Sequence, residues 1–180
     1  MRIVQSNVAV AVLAALTLTV SCASTPPRAG SGTASGAIAD NSSPDAAKIP
    51  AEVRETLTTY LDILHSSASL DECAARFVKI AGGVLVNEDG RSLRSTVVPY
   101  ALKKDYGNLH FYALPPQVTR VDVRPGVTSG FGPSTIRGTS YKIWIAKAPG
   151  QPGMPAPIAL LSPEGHATIR QPKVIGIGSL

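Results

Sequence analysis

The pattern of apolar and polar residues divides the chain into three parts. Residues 8–20 form a predominantly apolar run, residues 23–48 contain almost no large apolar side chain, and residues 49–180 show the periodic patterns of a folded domain. The middle part is rich in Ser, Thr, Gly, Ala and Pro, and such a composition buries too little apolar surface to offset the entropy of ordering. We therefore predict a leader over residues 1–21, a flexible tether over residues 22–48 and one domain over residues 49–180.

The domain opens with helical periodicity. Apolar residues recur at spacings of three and four in residues 50–65, which predicts an amphipathic helix. Ser69 and Glu72 match a capping box, in which each side chain bonds the backbone of the other residue. They predict the start of a second helix, which we expect to end at Gly82 and Gly83.

A hairpin and a third helix are expected next. Residues 84–86 are apolar and precede the turn-rich residues 87–90, which predicts a small hairpin. Ser95 is expected to cap a third helix, which Gly107 would end in a left-handed conformation.

The period changes to that of strands after Gly107. Residues 118–124 alternate between apolar and charged side chains, as in an antiparallel sheet with one face in water. Helices followed by strands predict an α+β domain, with long hairpin loops over residues 125–138 and 148–155. The predicted strands cover residues 109–114, 118–124, 141–147, 157–161 and 173–177.

This order of elements resembles the nuclear transport factor two-like, or cystatin-like, fold. The resemblance covers residues 50–180, and residues 173–180 look like the last core strand of that fold. It implies three N-terminal helices packed on a curved antiparallel sheet of four to six strands, a cone that encloses a pocket. Many members dimerise through the outer sheet face, and members include both enzymes and binding modules.

The N-terminal residues are typical of an export signal. Arg2 precedes the apolar run, which is shorter than the roughly 20 residues that a membrane-spanning helix needs. Thr19-Val20-Ser21-Cys22 resembles a bacterial lipobox, although Thr19 replaces the usual aliphatic residue. The resemblance implies cleavage after Ser21 and a diacylglyceryl group on Cys22. Because Ala23 rather than aspartate follows, it also implies the periplasmic face of the outer membrane in a Gram-negative source.

Charge and cysteine content narrow the partners. The chain has a formal net charge of +5, and removal of Arg2 with the leader leaves +4. The basic residues are scattered, which argues against nucleic acid and allows a weak attraction to anionic lipid headgroups. Cys73 is expected on the buried stripe of the second helix, where cysteine behaves as a small apolar residue. Its pairing matters because exported thiols meet an oxidising compartment, and a lipid on Cys22 leaves Cys73 without a partner in its own chain. Pairing between molecules and a Cys22–Cys73 disulfide remain alternatives.

The candidate catalytic residues are few. Asp105, Tyr106 and His110 lie around the end of the third helix, near an expected pocket mouth, and a pocket carboxylate could serve as a base. Asp62 and His65 share a face of the first helix but are equally explained as an exposed pair. His166 is expected in a turn. The sequence contains no metal-binding or cofactor-binding motif, so we predict neither group.

Three functions are compatible with these residues. We expect an exported, lipid-anchored binding or accessory protein of the cell envelope, whose domain binds a small apolar ligand or an envelope protein. One alternative is an isomerase or hydrolase that uses a pocket carboxylate. The other is a structural protein that self-associates, as a homodimer for example, through the sheet face carrying Arg120, Asp122 and Arg124.

Overall fold

The computed structural model describes residues 43–180. The predicted leader, the lipidation of Cys22 and most of the predicted tether lie outside these residues. The described part is an α+β domain with three α-helices and a four-stranded antiparallel sheet. The helices are α1 (Ala51–Ser66), α2 (Leu70–Phe77) and α3 (Lys103–Asn108), and the strands are β1 (Val118–Ser129), β2 (Ile136–Ile145), β3 (Ala156–Pro163) and β4 (Lys173–Gly176).

Folded structure begins before the predicted start at residue 49. A 3-10 helix covers Pro44–Lys48, residues that we assigned to the tether, and its Ala46 is buried. The Ser43 N–H donates to the Val118 carbonyl over 3.2 Å, so this segment is bonded to the start of β1. The small side chain of Ala46 and the neighbouring Ile49 supply enough apolar contact to order the segment.

The two predicted N-terminal helices are present. In α2 the Ser69 hydroxyl accepts from the Glu72 N–H over 3.2 Å, as the capping box requires, while the Glu72 carboxylate accepts from Ala68 rather than from Ser69. Helix α2 ends at Phe77, before the predicted Gly82. The reason is tertiary, because the Ile80 carbonyl accepts from Val174 and the Gly82 N–H donates to Val174, which places residues 80–82 beside β4 as a short parallel partner.

The third helical region differs most from its prediction. A π-helix covers Val97–Leu102 and continues into α3, and Thr96, not Ser95, precedes it without a side-chain cap. Gly107 lies inside α3, and a 3-10 helix at Leu109–Phe111 replaces the strand predicted over residues 109–114. The helical path continues because side chains of α3 bond residues 178–180, which fixes the chain against that segment.

The predicted hairpin is reduced to a turn. A 3-10 helix covers Gly83–Leu85 where the first strand was expected, and one antiparallel bridge joins Val86 to Leu93. The Gly90 N–H donates to the Asn87 carbonyl over 2.8 Å and closes the turn.

The strands follow the chain order β1-β2-β3-β4. Strand β1 extends to Ser129 and β2 begins at Ile136, so the loop predicted over residues 125–138 is wrong for most of its length. The register shifts between Arg124 and Val127, where Pro125 and Gly126 form a bulge. A bulge accommodates both residues in an edge strand, because the free side of the strand needs no N–H donor there.

The core lies between the inner face of the sheet and the helices. Tyr60 of α1 and Phe77 of α2 are fully buried, with ring centroids 5.2 Å apart. Cys73 is fully buried in the same cluster, as predicted. The inner face is supplied by alternate residues of the sheet, namely Val121, Ile143, Ile145, Ile158, Leu160 and Val174. None of the helices in residues 43–180 has the length and apolar character needed to cross a membrane.

Candidate functional site

A cavity of about 590 Å³ lies between the end of α1 and the 3-10 helix that follows α3. Its walls combine three leucines with aromatic and imidazole side chains. The lining residues are Leu64, His65, Ser67, Tyr106, Leu109, His110, Tyr112 and Leu114. The size and mixed lining are those of a site for a small, mainly apolar molecule.

The structure brings His65, Tyr106 and His110 together at this cavity. The Tyr106 hydroxyl donates to the Ser67 carbonyl over 2.9 Å, which fixes the phenol ring against the end of α1. His65 and His110 are exposed, and the His110 ring lies 3.8 Å from that of Phe111, measured between centroids. The two imidazoles therefore remain accessible to a polar group of a bound molecule.

Asp105 points away from the cavity into the core. Its carboxylate is fully buried and accepts three hydrogen bonds, from the Tyr60 hydroxyl (2.7 Å), the Gly178 N–H (2.8 Å) and the Leu180 N–H (2.9 Å). Burial raises the pKa of Asp105, and this effect outweighs the opposing effects of the three bonds and of Lys104. Burial, with the Asp105 charge, also raises the pKa of Tyr60 well above its ordinary value.

These bonds form a clasp on residues 178–180. Asp105 holds two N–H groups of the segment, Lys104 donates to the Gly178 carbonyl over 3.0 Å, and the Asn108 amide donates to the Leu180 carbonyl over 2.9 Å. The clasp explains Asp105 as a structural residue, because its oxygens are already used by donors of the protein.

The carboxylates of Asp62 and Asp122 also lie away from the cavity. Asp62 is exposed on the outer side of α1, where it lines a surface groove together with Glu55. Asp122 is half-buried on the outer face of the sheet and bonds Arg124 over 2.9 Å. None of the three aspartates lines the cavity, so its lining supplies no carboxylate base of the kind that isomerase chemistry uses.

Cys73 and His166 take structural positions. Burial raises the pKa of the Cys73 thiol, against the opposing effects of Ser67 and Arg76. The Nδ1 of His166 accepts from the backbone N–H groups of Thr168 and Ile169, as expected for a turn residue. Within residues 43–180, no group of three or more His, Cys, Asp or Glu side chains is placed to hold a metal ion.

Sequence reasoning missed the outer sheet face around Trp144. The Arg120 guanidinium lies 4.4 Å and the Lys142 ammonium 5.2 Å from the centre of the Trp144 ring. Arg120 and Trp144 are direct cross-strand neighbours. Trp144 lies two residues from Lys142, a spacing that places both side chains on one face of a strand.

Ser67 and Tyr112 of the cavity were also missed. Both stand in segments that connect regular elements, where no period assigns a side chain to a face. Comparison of the chain with protein-family models, with curated proteins and with solved structures gave no significant match.

Proposed function

We propose that this chain is an exported, lipid-anchored binding protein of the cell envelope, whose domain holds a small apolar ligand in the cavity between α1 and α3. The export signal, the lipobox-like residues ending at Cys22 and the polar tether support the anchor. The absence of aspartate at residue 23 supports an outer-membrane position facing the periplasm in a Gram-negative source.

The cavity lining is the observation that carries the binding role. It offers apolar walls and two accessible imidazoles but no carboxylate, while the one fully buried aspartate of residues 43–180 is occupied in the clasp. Such a lining can bind and orient a molecule with an apolar body and a polar head, since His65 and His110 can each form a hydrogen bond.

We further propose that the domain belongs to the cystatin-like cone folds. Three helices before a four-stranded antiparallel sheet support this assignment, as does a cavity between the helices and the loop that leads into the sheet. The fold itself does not choose between binding and catalysis.

The anchor is tested by intact mass spectrometry of the N-terminal peptide, from protein solubilised out of native membranes. We expect a diacyl or triacyl group on Cys22, and globomycin should block the processing. A mature chain with an unmodified residue elsewhere at its N-terminus would refute the anchor.

The binding role is tested with cis-parinaric acid, a fluorescent fatty acid, as the probe. The double substitution His65→Gln and His110→Gln should weaken binding about tenfold or more, and Leu114→Trp should block the cavity. His166→Gln is the matched control, because His166 lies outside the cavity lining. Equal affinity in all variants would place the probe elsewhere and refute the proposed site.

A further inference from the structure

The outer face of the sheet carries a compact group of cations around one indole. We define the basic face as Arg120, Arg124, Lys142 and Trp144. Arg120 and Arg124 belong to β1, Lys142 and Trp144 belong to β2, and the cross-strand register places Arg120 beside Trp144. Asp122 lies among them and bonds Arg124, and Asp45, which pairs with Lys48, also acts on Arg120. The three cations outnumber these two carboxylates, so the face keeps a net positive charge.

We propose that the basic face lies on an anionic lipid surface, with Trp144 at the level of the headgroups. Indole rings prefer the membrane interface, because one part of the ring is apolar and the N–H can bond to headgroups or water. Lysine and arginine beside them attract anionic lipids. The combination of a half-buried indole with three cations matches that surface better than a solvated sheet face does.

Short side chains neighbour Trp144 and Lys142 across the sheet. Trp144 is followed across the sheet by Pro157, and Lys142 by Ala159 and then Gly176. These neighbours are short, whereas the row that starts at Arg124 continues through Ser140 to the fully buried Leu161 and to Lys173. The part of the sheet beside Trp144 and Lys142 can therefore approach headgroups closely.

The distribution of charge sets the same orientation. Helices α1 and α2 pack on the inner side of the sheet and carry five acidic residues against two arginines. Their exposed sides therefore point away from the basic face. Helix α3 adds the exposed Lys103 and Lys104, so the acidic surface is that of α1 and α2. An anionic membrane attracts the basic face and repels the surface of α1 and α2, which favours one orientation of the domain. The acidic residues are Glu52, Glu55, Asp62, Asp71 and Glu72.

The preceding chain joins the domain next to this face. The Ser43 N–H donates to the Val118 carbonyl, two residues before Arg120. This inference rests on the proposed lipid anchor at Cys22, which is 21 residues before Ser43. The tether predicted there from composition, taken as a flexible coil, would have a root-mean-square span of about 25 Å, and an anchor at that distance would hold the start of β1 close to the bilayer.

The test uses the chain from Ala23 to Leu180 without its lipid, which keeps the whole described domain and its core. Its probe is vesicles of phosphatidylcholine, alone or with phosphatidylglycerol. Trp144 is the single tryptophan of the chain, so its emission reports on the basic face alone. We expect binding to the anionic vesicles, a blue shift of the emission, quenching by brominated acyl chains and reversal by salt.

Two triple variants that remove the same charge distinguish the effect of the basic face on vesicle binding from the effect of net charge. Arg120→Gln with Arg124→Gln and Lys142→Gln should weaken anionic-vesicle binding by at least tenfold, since each basic residue contributes about fivefold. Arg91→Gln with Arg94→Gln and Lys103→Gln removes the same charge from exposed positions elsewhere and should have a much smaller effect. Circular dichroism checks that both variants fold.

Three outcomes would overturn the inference. They are no binding to anionic vesicles, equal weakening by the two triple variants, and binding without any change in Trp144 emission. Loss of vesicle binding together with self-association on sedimentation would instead assign the face to a second copy. The protein used in this vesicle assay begins at Ala23 and carries no lipid, so its result is independent of mass spectrometry at Cys22. The two experiments therefore distinguish failure of the proposed anchor from failure of the proposed basic face.

Discussion

The structural role of Asp105 could not be predicted from its neighbours in the sequence. In the sequence it stands beside Lys103, Lys104 and Tyr106 and is typical of a polar helix end or a pocket base. Its bonding partners Gly178 and Leu180 follow 73 and 75 residues later, so no local pattern contains them. The residue type could be singled out from the sequence, but its burial and its direction could not.

Substitutions in the clasp should destabilise the domain. Asp105→Asn replaces one acceptor oxygen by an amide donor that faces donors of the protein, so we expect a loss of about 1–3 kcal/mol in the free energy of unfolding. Tyr60→Phe removes one bond to the carboxylate and should cost a similar amount. Tyr100→Phe, on an exposed residue, is the control and should change stability by less than about 0.5 kcal/mol. Urea denaturation measures all three, and an unchanged Asp105→Asn variant would contradict the structural role.

The raised pKa of Asp105 also predicts a pH dependence. The folded state keeps the proton of this carboxyl to a higher pH than the unfolded state, whose pKa is near the ordinary 3.8. The contribution of Asp105 to stability is therefore largest below that pH and falls as pH rises through the folded pKa.

The measurement is the difference in unfolding free energy between the wild-type chain and Asp105→Asn, from about pH 3 to pH 7. The difference should move against the wild type with rising pH and then level off. Asp45, whose pKa is lowered by its bond from Lys48, is common to both proteins and cancels. A difference that is flat, or that moves toward the wild type, would show that the pKa is not raised.

At the scale of elements, local signals succeeded where the decisive bonds are local. The capping bond at Ser69 and the periodicity of α1 involve residues three or four apart, and both helices begin within one residue of the prediction. The local sequence signals failed where residues far away in the sequence determine the structure. Helix α2 stops early because β4 takes the backbone groups of residues 80–82, and Pro125 with Gly126 lies within an edge strand rather than a loop.

The bulge in β1 also bears on self-association. An edge strand with open N–H and carbonyl groups can pair with a second copy, and proline, bulges and charged side chains oppose this. Strand β1 has all three features, at Pro125, at the register shift and at the arginines that flank Asp122. The edge of β1 is therefore a poor site for pairing between copies.

Gly83 is the element junction most sensitive to substitution. It has a φ of +59°, and an added Cβ would collide with the Ser129 side chain. Gly150 has a φ of +81° but open space around its Cβ position. Both glycine-to-alanine variants carry backbone strain of about 1 kcal/mol, and Gly83→Ala should lose at least a further 1–2 kcal/mol from the collision. Thermal denaturation compares them, and equal losses would contradict the close approach of residue 83 to β1.

At the scale of the molecule, the sequence predicted the α+β class and the order of helices before strands. Composition and hydrophobic periodicity are enough to predict the class and the order of elements, because the apolar residues of each element mark the face that is buried. The cavity needed more, since His65 and His110 are 45 residues apart and meet only after α1 and α3 pack together. Export and lipidation remain predictions from residues 1–22.

Because Cys73 is buried, the rate at which its thiol is alkylated reports how often α2 separates from the core. A thiol reagent can reach this sulfur only when the helix leaves the core, so the rate of alkylation counts openings rather than collisions. With a ligand in the cavity that α1 helps to form, labelling should slow if binding closes the helical layer. Mass spectrometry of the alkylated peptide would then measure how often the core around Cys73 opens, with no substitution in the protein.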